Sequence, residues 1–456
     1  MRIPFSSQNT VEMYNGPIAG QIIRFTVPLF IGNLFQQLYN AVDALIVGNM
    51  LGNEALAAVS TTSSLIYMLI GFLEGIFIGA GVAISRYFGA RDDENLSKSI
   101  HTNLAFCLTA GVILSVISSL FSEDILQIMA TPEDILPAAA LYMRIYSAGI
   151  LTVMLYNCCR GIMQAVGDSV HPLLYLIISS VTNVILDIAF IAWFHGGVGS
   201  AALATVISQG LSAILCMIRL IRTKDVHRVQ LKKISFDIPM LGKIIHYGLP
   251  SGFQNSAIAI ANVLVQSNIN AFGTMAIAGC GAYSKIEGFV FLPISSFVLA
   301  LTTFIGQNLG AGRYDRARKG ARFGIWCSVI TAELIGIVTF FFIPAMIRAF
   351  TSEPEAIAYG IQKAKNVSLF FVFLSATHSL AGVLRGAGKS LFPMMCYFLV
   401  WGVFRVVYLS LVVPIFNSIV TVNMVYPITW SITTIILFIY YFKADWIHGF
   451  DKERSR

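Results

Sequence analysis

Asp43 is the residue around which chemistry can be built. It lies within Val27–Met50, VPLFIGNLFQQLYNAVDALIVGNM, a stretch long and apolar enough to cross a bilayer. Asn33, Gln36, Gln37 and Asn40 share that stretch at spacings of three, four and seven residues. Such spacing sets them and Asp43 along one helical face. An ionisable group in a polar stripe inside a membrane segment points to ion or substrate handling. A later apolar run carries Asn183 and Asp187, an i, i+4 pair on one face. Two carboxylates in a water-poor site cannot both be charged cheaply. They take up and release protons, or hold Na⁺ together with amide and hydroxyl oxygens. Asn157 and Thr205 are the expected supplementary ligands. The alternative is structural: the two aspartates only bond neighbouring helices.

The elements that must position these groups follow from composition. The chain has 456 residues, of which 12% are charged and 56% hydrophobic, with a mean hydropathy of +0.75. A soluble protein carries about 25% charge. Apolar runs of about 20 residues recur along the whole length, too long for barrel strands. The expectation is an all-α polytopic membrane protein with twelve transmembrane helices, the fourth near 137–160 and the seventh near 246–271. The first run is read as a retained helix and not as a signal peptide. Seven cysteines fall within apolar runs and form no C-x-x-C pair, so free structural thiols are expected.

The net charge of +7 would suggest nucleic acid in a soluble protein. Here the basic residues gather in alternate connections, above all in Arg219–Lys243 and Arg313–Arg322. The remaining connections are short or acidic. The positive-inside rule then puts both termini on the cytoplasmic side of a cell membrane, with lipid and not nucleic acid as the surrounding partner. No cofactor is implied, and no Walker A loop is present to power transport directly with ATP.

The chain repeats itself. Gly161-IMQAVGDSVH-Pro172 falls on Gly382-VLRGAGKSLF-Pro393, and Phe88-Gly89-Ala90-Arg91 on Leu309-Gly310-Ala311-Gly312. Pro28, Asn33 and Asn40 fall on Pro250, Asn255 and Asn262 at nearly the same offset. Two bundles of six helices, 1–222 and 246–456, are expected around a central cleft, joined by a cytoplasmic linker at 223–245. The end of that linker, FDIPMLGKIIHYGLP, reads either as an interfacial helix or as a solvated connection. Pro28 and Pro250 could permit bending of equivalent helices.

The repeat also exposes an asymmetry. Asp43 aligns with Val265, and the Asn183–Asp187 pair has no acidic counterpart. The seventh span keeps Asn255, Asn262 and Gln266 but no carboxylate. Lys285, Glu287 and Arg405 are candidates for lining the second half of the cleft, with mutual pairing or a helix-end role as the alternative. Glu74 and Glu333 are further charges within spans. His378 lies well inside a span, and its neighbour Ser379 cannot face it on a helix. An intramembrane enzyme is therefore disfavoured.

Taken together, PLFIGNLFQQLYNAVDALIVGNMLGNEALAAVS, GAGVAISRYFGARD, RGIMQAVGDSVHP and its echo RGAGKSLFP resemble the multidrug and toxic compound extrusion (MATE) family, end to end. The likeness is greatest to its MepA-like and DinF-like bacterial branch. The resemblance implies a V-shaped, pseudo-symmetric antiporter of twelve helices, monomeric, in the bacterial inner membrane. It would export amphipathic or cationic drugs and toxins by alternating access, in exchange for H⁺ or Na⁺. It further implies a cation or proton site at Asp43, Asp187 and Asn183, with Asn157 and Thr205 at auxiliary positions. A lipid-linked precursor flippase of the same superfamily is the competing transporter reading.

Overall fold

The computed structural model describes residues 12–129, 131–194, 196–448 and 450, and among them every regular element is helical. The elements are α1 (Ile18–Leu51), α2 (Asn53–Ala90), α3 (Asp93–Leu120), the short α4 (Ser122–Ile128), α5 (Leu136–Ala148), α6 (Ile150–Ala165), α7 (Val170–Ile188) and α8 (Val198–Arg222). The second half supplies α9 (Ile238–Asn270), α10 (Thr274–Gly310), α11 (Tyr314–Arg348), α12 (Pro354–Val367), α13 (Phe371–Gly386), α14 (Leu391–Tyr397), α15 (Arg405–Phe416) and α16 (Ile419–Lys443). Ten helical runs among the described residues are long and apolar enough to cross a membrane. The fourth span is a broken one: α5 and α6 meet at Gly149 with a bend of 48°. The twelfth run, α9, has 33 residues but falls outside the apolar set. Gln254, Asn255, Asn262, Gln266, Asn268 and Asn270 lower its hydropathy. Twelve helical runs thus occupy the twelve expected spans.

The repeat is written into the backbone as well. Three pairs of residues with left-handed φ fall at matching places in the two halves. Gly52 (φ 89°) matches Gly273 (φ 93°), Arg91 (φ 54°) matches Gly312 (φ 67°), and Gly167 (φ 96°) matches Gly388 (φ 74°). Each stands where one helix ends or the next begins, which is where a chain must reverse direction tightly.

The chain forms two compact units, and these do not follow the sequence halves. The first unit contains Ile31–Gly248; the second contains Met13–Phe30 together with the chain from Leu249 onward. Side-chain contacts explain both exchanges. Arg316 donates to the carbonyls of Met13, Asn15 and Gly16, and Asn308 to that of Met13. The linker is tied to the first unit by Gln230 N–H on His101 Nε2 (3.0 Å), Asp237 N–H on Thr102 Oγ1 (3.2 Å) and Lys243 Nζ on Tyr87 Oη (3.1 Å). The residues from Ile238 are neither an interfacial helix nor a free connection: they are the first turns of α9. Pro28 and Pro250 lie inside α1 and α9, and each precedes the crossing from one unit to the other or follows it by two residues.

Within the first unit, α2 and α9 touch backbone to backbone. A Cβ at Gly248 would stand 2.6 Å from Ile76 Cα and 2.8 Å from Gly75 O. Small residues of this kind let membrane helices approach closely. All seven cysteines are free. At the start of α3, Asp92 caps the helix by accepting from Asn95 N–H at 3.1 Å. Asp92→Ala is expected to cost about 1 kcal/mol and a few degrees of thermal stability. Differential scanning of the purified variant checks this, and an unshifted transition would contradict the capping role.

Candidate functional site

The first unit brings its two intramembrane aspartates together. Asp43 comes from the later part of α1, and Asp187 is the penultimate residue of α7. Their carboxyl groups face each other at hydrogen-bonding range. Two carboxyl groups make such a bond only when one of them holds a proton. Asp187 and Asn183 are fully buried. On α8, Thr205 joins them: Asn183 Nδ2 donates to Thr205 Oγ1 at 3.4 Å, and that hydroxyl donates to Ala201 O at 3.0 Å.

Immediately after α7 the chain makes a π-helical turn, Ala189–Trp193. The wider turn shifts the phase of the helix directly beyond Asp187, a feature common at functional sites. Val47 and Ile191, each one helical turn after its aspartate, belong to one buried apolar cluster with Val153, Ala201 and Tyr142. Apolar packing therefore surrounds the acids and keeps water from them.

The acceptors outnumber the donors. Asp43 Oδ1, both carboxyl oxygens of Asp187 and Asn183 Oδ1 are buried and accept no N–H or hydroxyl. Each such orphan costs about 1–3 kcal/mol. Four converging oxygens are tolerable where a proton or a small hard cation completes them. Carboxylate, amide and hydroxyl oxygens suit H⁺ or Na⁺ better than a soft metal. Among the described residues, no three His, Cys, Asp or Glu side chains converge as a metal site.

Three tyrosines complete the site, and sequence reasoning had not singled them out. Tyr39 lies beside Thr205 and near both aspartates. Tyr142 and Tyr146 on α5 approach Asp43, their rings stacked at 6.1 Å. The available signals were the i, i+4 spacing of Tyr39 to Asp43 and of Tyr142 to Tyr146. The polar stripe divides accordingly. Tyr39 accompanies Asp43, whereas Gln36 donates to Asn40 at 3.3 Å in an exposed pair. Asn33 and Gln37 are half-buried on α1. Asn157 is half-buried on α6, and among the described residues no hydrogen bond joins it to either aspartate.

The second-half candidates divide too. Arg405 Nη1 donates to Asn262 Oδ1 at 3.1 Å, with Glu287 nearby. Gln266 donates to Asn270 at 2.9 Å, one helical turn away, and Asn255 is half-buried. Lys285 does not join Arg405: it is exposed, with its ammonium 6.0 Å from the Phe350 ring centre. Glu74 faces Arg160 at 3.8 Å, and Glu333 accepts Val372 N–H at 3.0 Å. His378 sits among the rings of Phe291, Tyr397 and Trp401.

Comparison with known proteins matches the MatE family model twice, at 28–189 and 250–411. The two matches start at the equivalent prolines of the internal repeat. The probable multidrug resistance protein YoeA of Bacillus subtilis is 29% identical over 91% of this chain and 92% of its own length. The multidrug export protein MepA of Staphylococcus aureus is 26% identical over 74% of this chain and 72% of its own. A crystal structure of MATE in the bent conformation superposes with a TM-score of 0.90 at 22% identity, covering 99% of this chain and all of that one.

Proposed function

The chain belongs to the MatE family of multidrug-efflux membrane transporters, and from that premise we propose that it is a cation-coupled antiporter. It exports amphipathic or cationic small molecules in exchange for H⁺ or Na⁺ by alternating access. The carrying observation is the set of unsatisfied buried oxygens on Asp43, Asp187 and Asn183. An ion entering that set satisfies the acceptors and relieves the repulsion between the carboxylates. Its departure restores both costs, so the protein has a free-energy difference with which to favour one conformation over another. The hydroxyls of Thr205 and Tyr39 supply further oxygen. The alternating basic and acidic connections support a bacterial inner-membrane location with cytoplasmic termini.

The experiment is efflux of a fluorescent cationic dye from proteoliposomes with imposed gradients. Dye movement should follow either the H⁺ or the Na⁺ gradient and collapse when that gradient is dissipated. Equal efflux with neither gradient would refute ion coupling.

A further inference from the structure

The second unit contains a buried cluster of the opposite character. Arg405 and Lys363 are 0% and 1% exposed. They come from α15 and α12, respectively. Arg405 Nη1 and Nη2 donate to Asn262 and to Thr429, the latter at 3.0 Å. Lys363 Nζ donates to Ser284 at 3.1 Å. Tyr426 lies between the two cations, 5.1 Å from Arg405 and 5.5 Å from Lys363. Trp401 and Tyr283 flank them on either side. Glu287 is the carboxylate that senses both cations, and among the described residues it forms no ion pair with either.

What is left unsatisfied here is donors. Arg405 Nε is buried without an acceptor, as is the hydroxyl of the fully buried Tyr283. Lys363 uses one of its three N–H groups on Ser284. Two buried cations against one unpaired carboxylate leave a net positive charge in an apolar setting, which is costly without a counter-charge. Aromatic faces offset part of that cost. The rim is open to solvent or ligand: Asn262 and Ser284 are exposed, Glu287 and Tyr426 partly so.

We propose that this cluster binds the anionic group of an aromatic amphipathic substrate, a carboxylate, sulfonate or phosphate seated between Lys363 and Arg405. The substrate's ring would pack among Tyr283, Tyr426 and Trp401. The anion supplies the acceptors that Arg405 Nε, Lys363 and the Tyr283 hydroxyl lack. Glu287 then sets the polarity, admitting zwitterions whose cationic end reaches it. This goes beyond cation-coupled export and is independent of Asp43: a substrate with an anionic end differs from the purely cationic drug expected of the resemblance.

The test is calorimetric titration of the purified full chain with naphthalene-2-sulfonate and, separately, with a trimethylammonium-naphthalene of the same size. The sulfonate should bind more tightly than the cation. Lys363→Gln should weaken it by more than about tenfold, as expected when one member of a buried charge cluster is removed. Lys363→Arg should restore most of the binding. Asp43→Asn should leave it unchanged, which separates this proposal from ion coupling. Arg405→Gln should act like Lys363→Gln; because it also loses two helix–helix bonds, Lys363→Gln is the decisive variant. Equal or tighter binding of the cation would overturn the proposal, as would undiminished sulfonate binding in Lys363→Gln. Displacement of the sulfonate by phosphatidylglycerol at equal headgroup concentration would assign the cluster to lipid instead, and would overturn it too.

Discussion

Asp43→Asn is expected to reduce gradient-driven dye efflux at least about tenfold, a loss of about 1.4 kcal/mol or more in the coupled step. The substitution keeps size and burial. It removes the group that can lose a proton or carry a full negative charge. With an amide at 43, Asp187 gains a donor, so two of the orphaned oxygens no longer call for an ion. The folded state should therefore be retained or stabilised, because a costly carboxyl pair becomes an ordinary hydrogen bond. Loss of coupling together with an unlowered thermal transition is the signature sought. Wild-type coupled efflux in the variant would remove Asp43 from the mechanism. A parallel loss of thermal stability would favour the structural reading, in which the aspartates only join helices.

The second large effect concerns the fold. Gly248→Leu places a branched side chain where backbone atoms of Ile76 and Gly75 stand 2.6 and 2.8 Å from the new Cβ. Backbone cannot rotate aside as a flexible side chain can, so α2 and α9 must separate. Overpacking of this kind costs about 1–3 kcal/mol or more, which corresponds to a drop of about 2–10 °C in a unit of this size. Thermal denaturation and size-exclusion profile measure it. Gly81→Ala on the same α2, where no atom lies within 4 Å of the new Cβ, should be nearly silent. Equal behaviour of the two variants would show that the close crossing is not a constraint.

Much of this architecture was legible in the sequence, for identifiable reasons. Twelve apolar runs are a solvent-transfer property of the chain, and they survive as twelve helical runs. The duplication left matching glycines and prolines, and the left-handed pairs show why those residues were kept apart from ordinary helix formers. Asp43 and Asp187 stood out because carboxylates are rare in such runs. Lys363 did not, since IQKAKN reads as the wet end of a helix; only the folded chain shows its ammonium buried against Tyr283 and Tyr426. Tyr39, Tyr142 and Tyr146 are ordinary membrane-helix residues until three helices converge. The exchange of Met13–Phe30 into the second unit depends on Arg316 and Asn308, some 300 positions away in the chain, and no local pattern records it. The break at Gly149 carries no proline to announce it.

The π-helical turns have a consequence for how such a chain can change over generations. One precedes Arg405, at Phe398–Phe404, and the other follows Asp187, at Ala189–Trp193. They do not occupy matching places in the two halves. A π turn holds a residue that an α turn would omit, so deleting one residue from Phe398–Phe404 lets the helix close to α and rotates all that follows by about 100°. Arg405 would then swing away from Asn262 and Thr429 with every side chain around it still present. A three-base deletion in the gene could thus silence one charged cluster and leave the other intact, without changing any of the residues that compose it. The two halves of an ancient duplication can in this way part company by length as well as by letter.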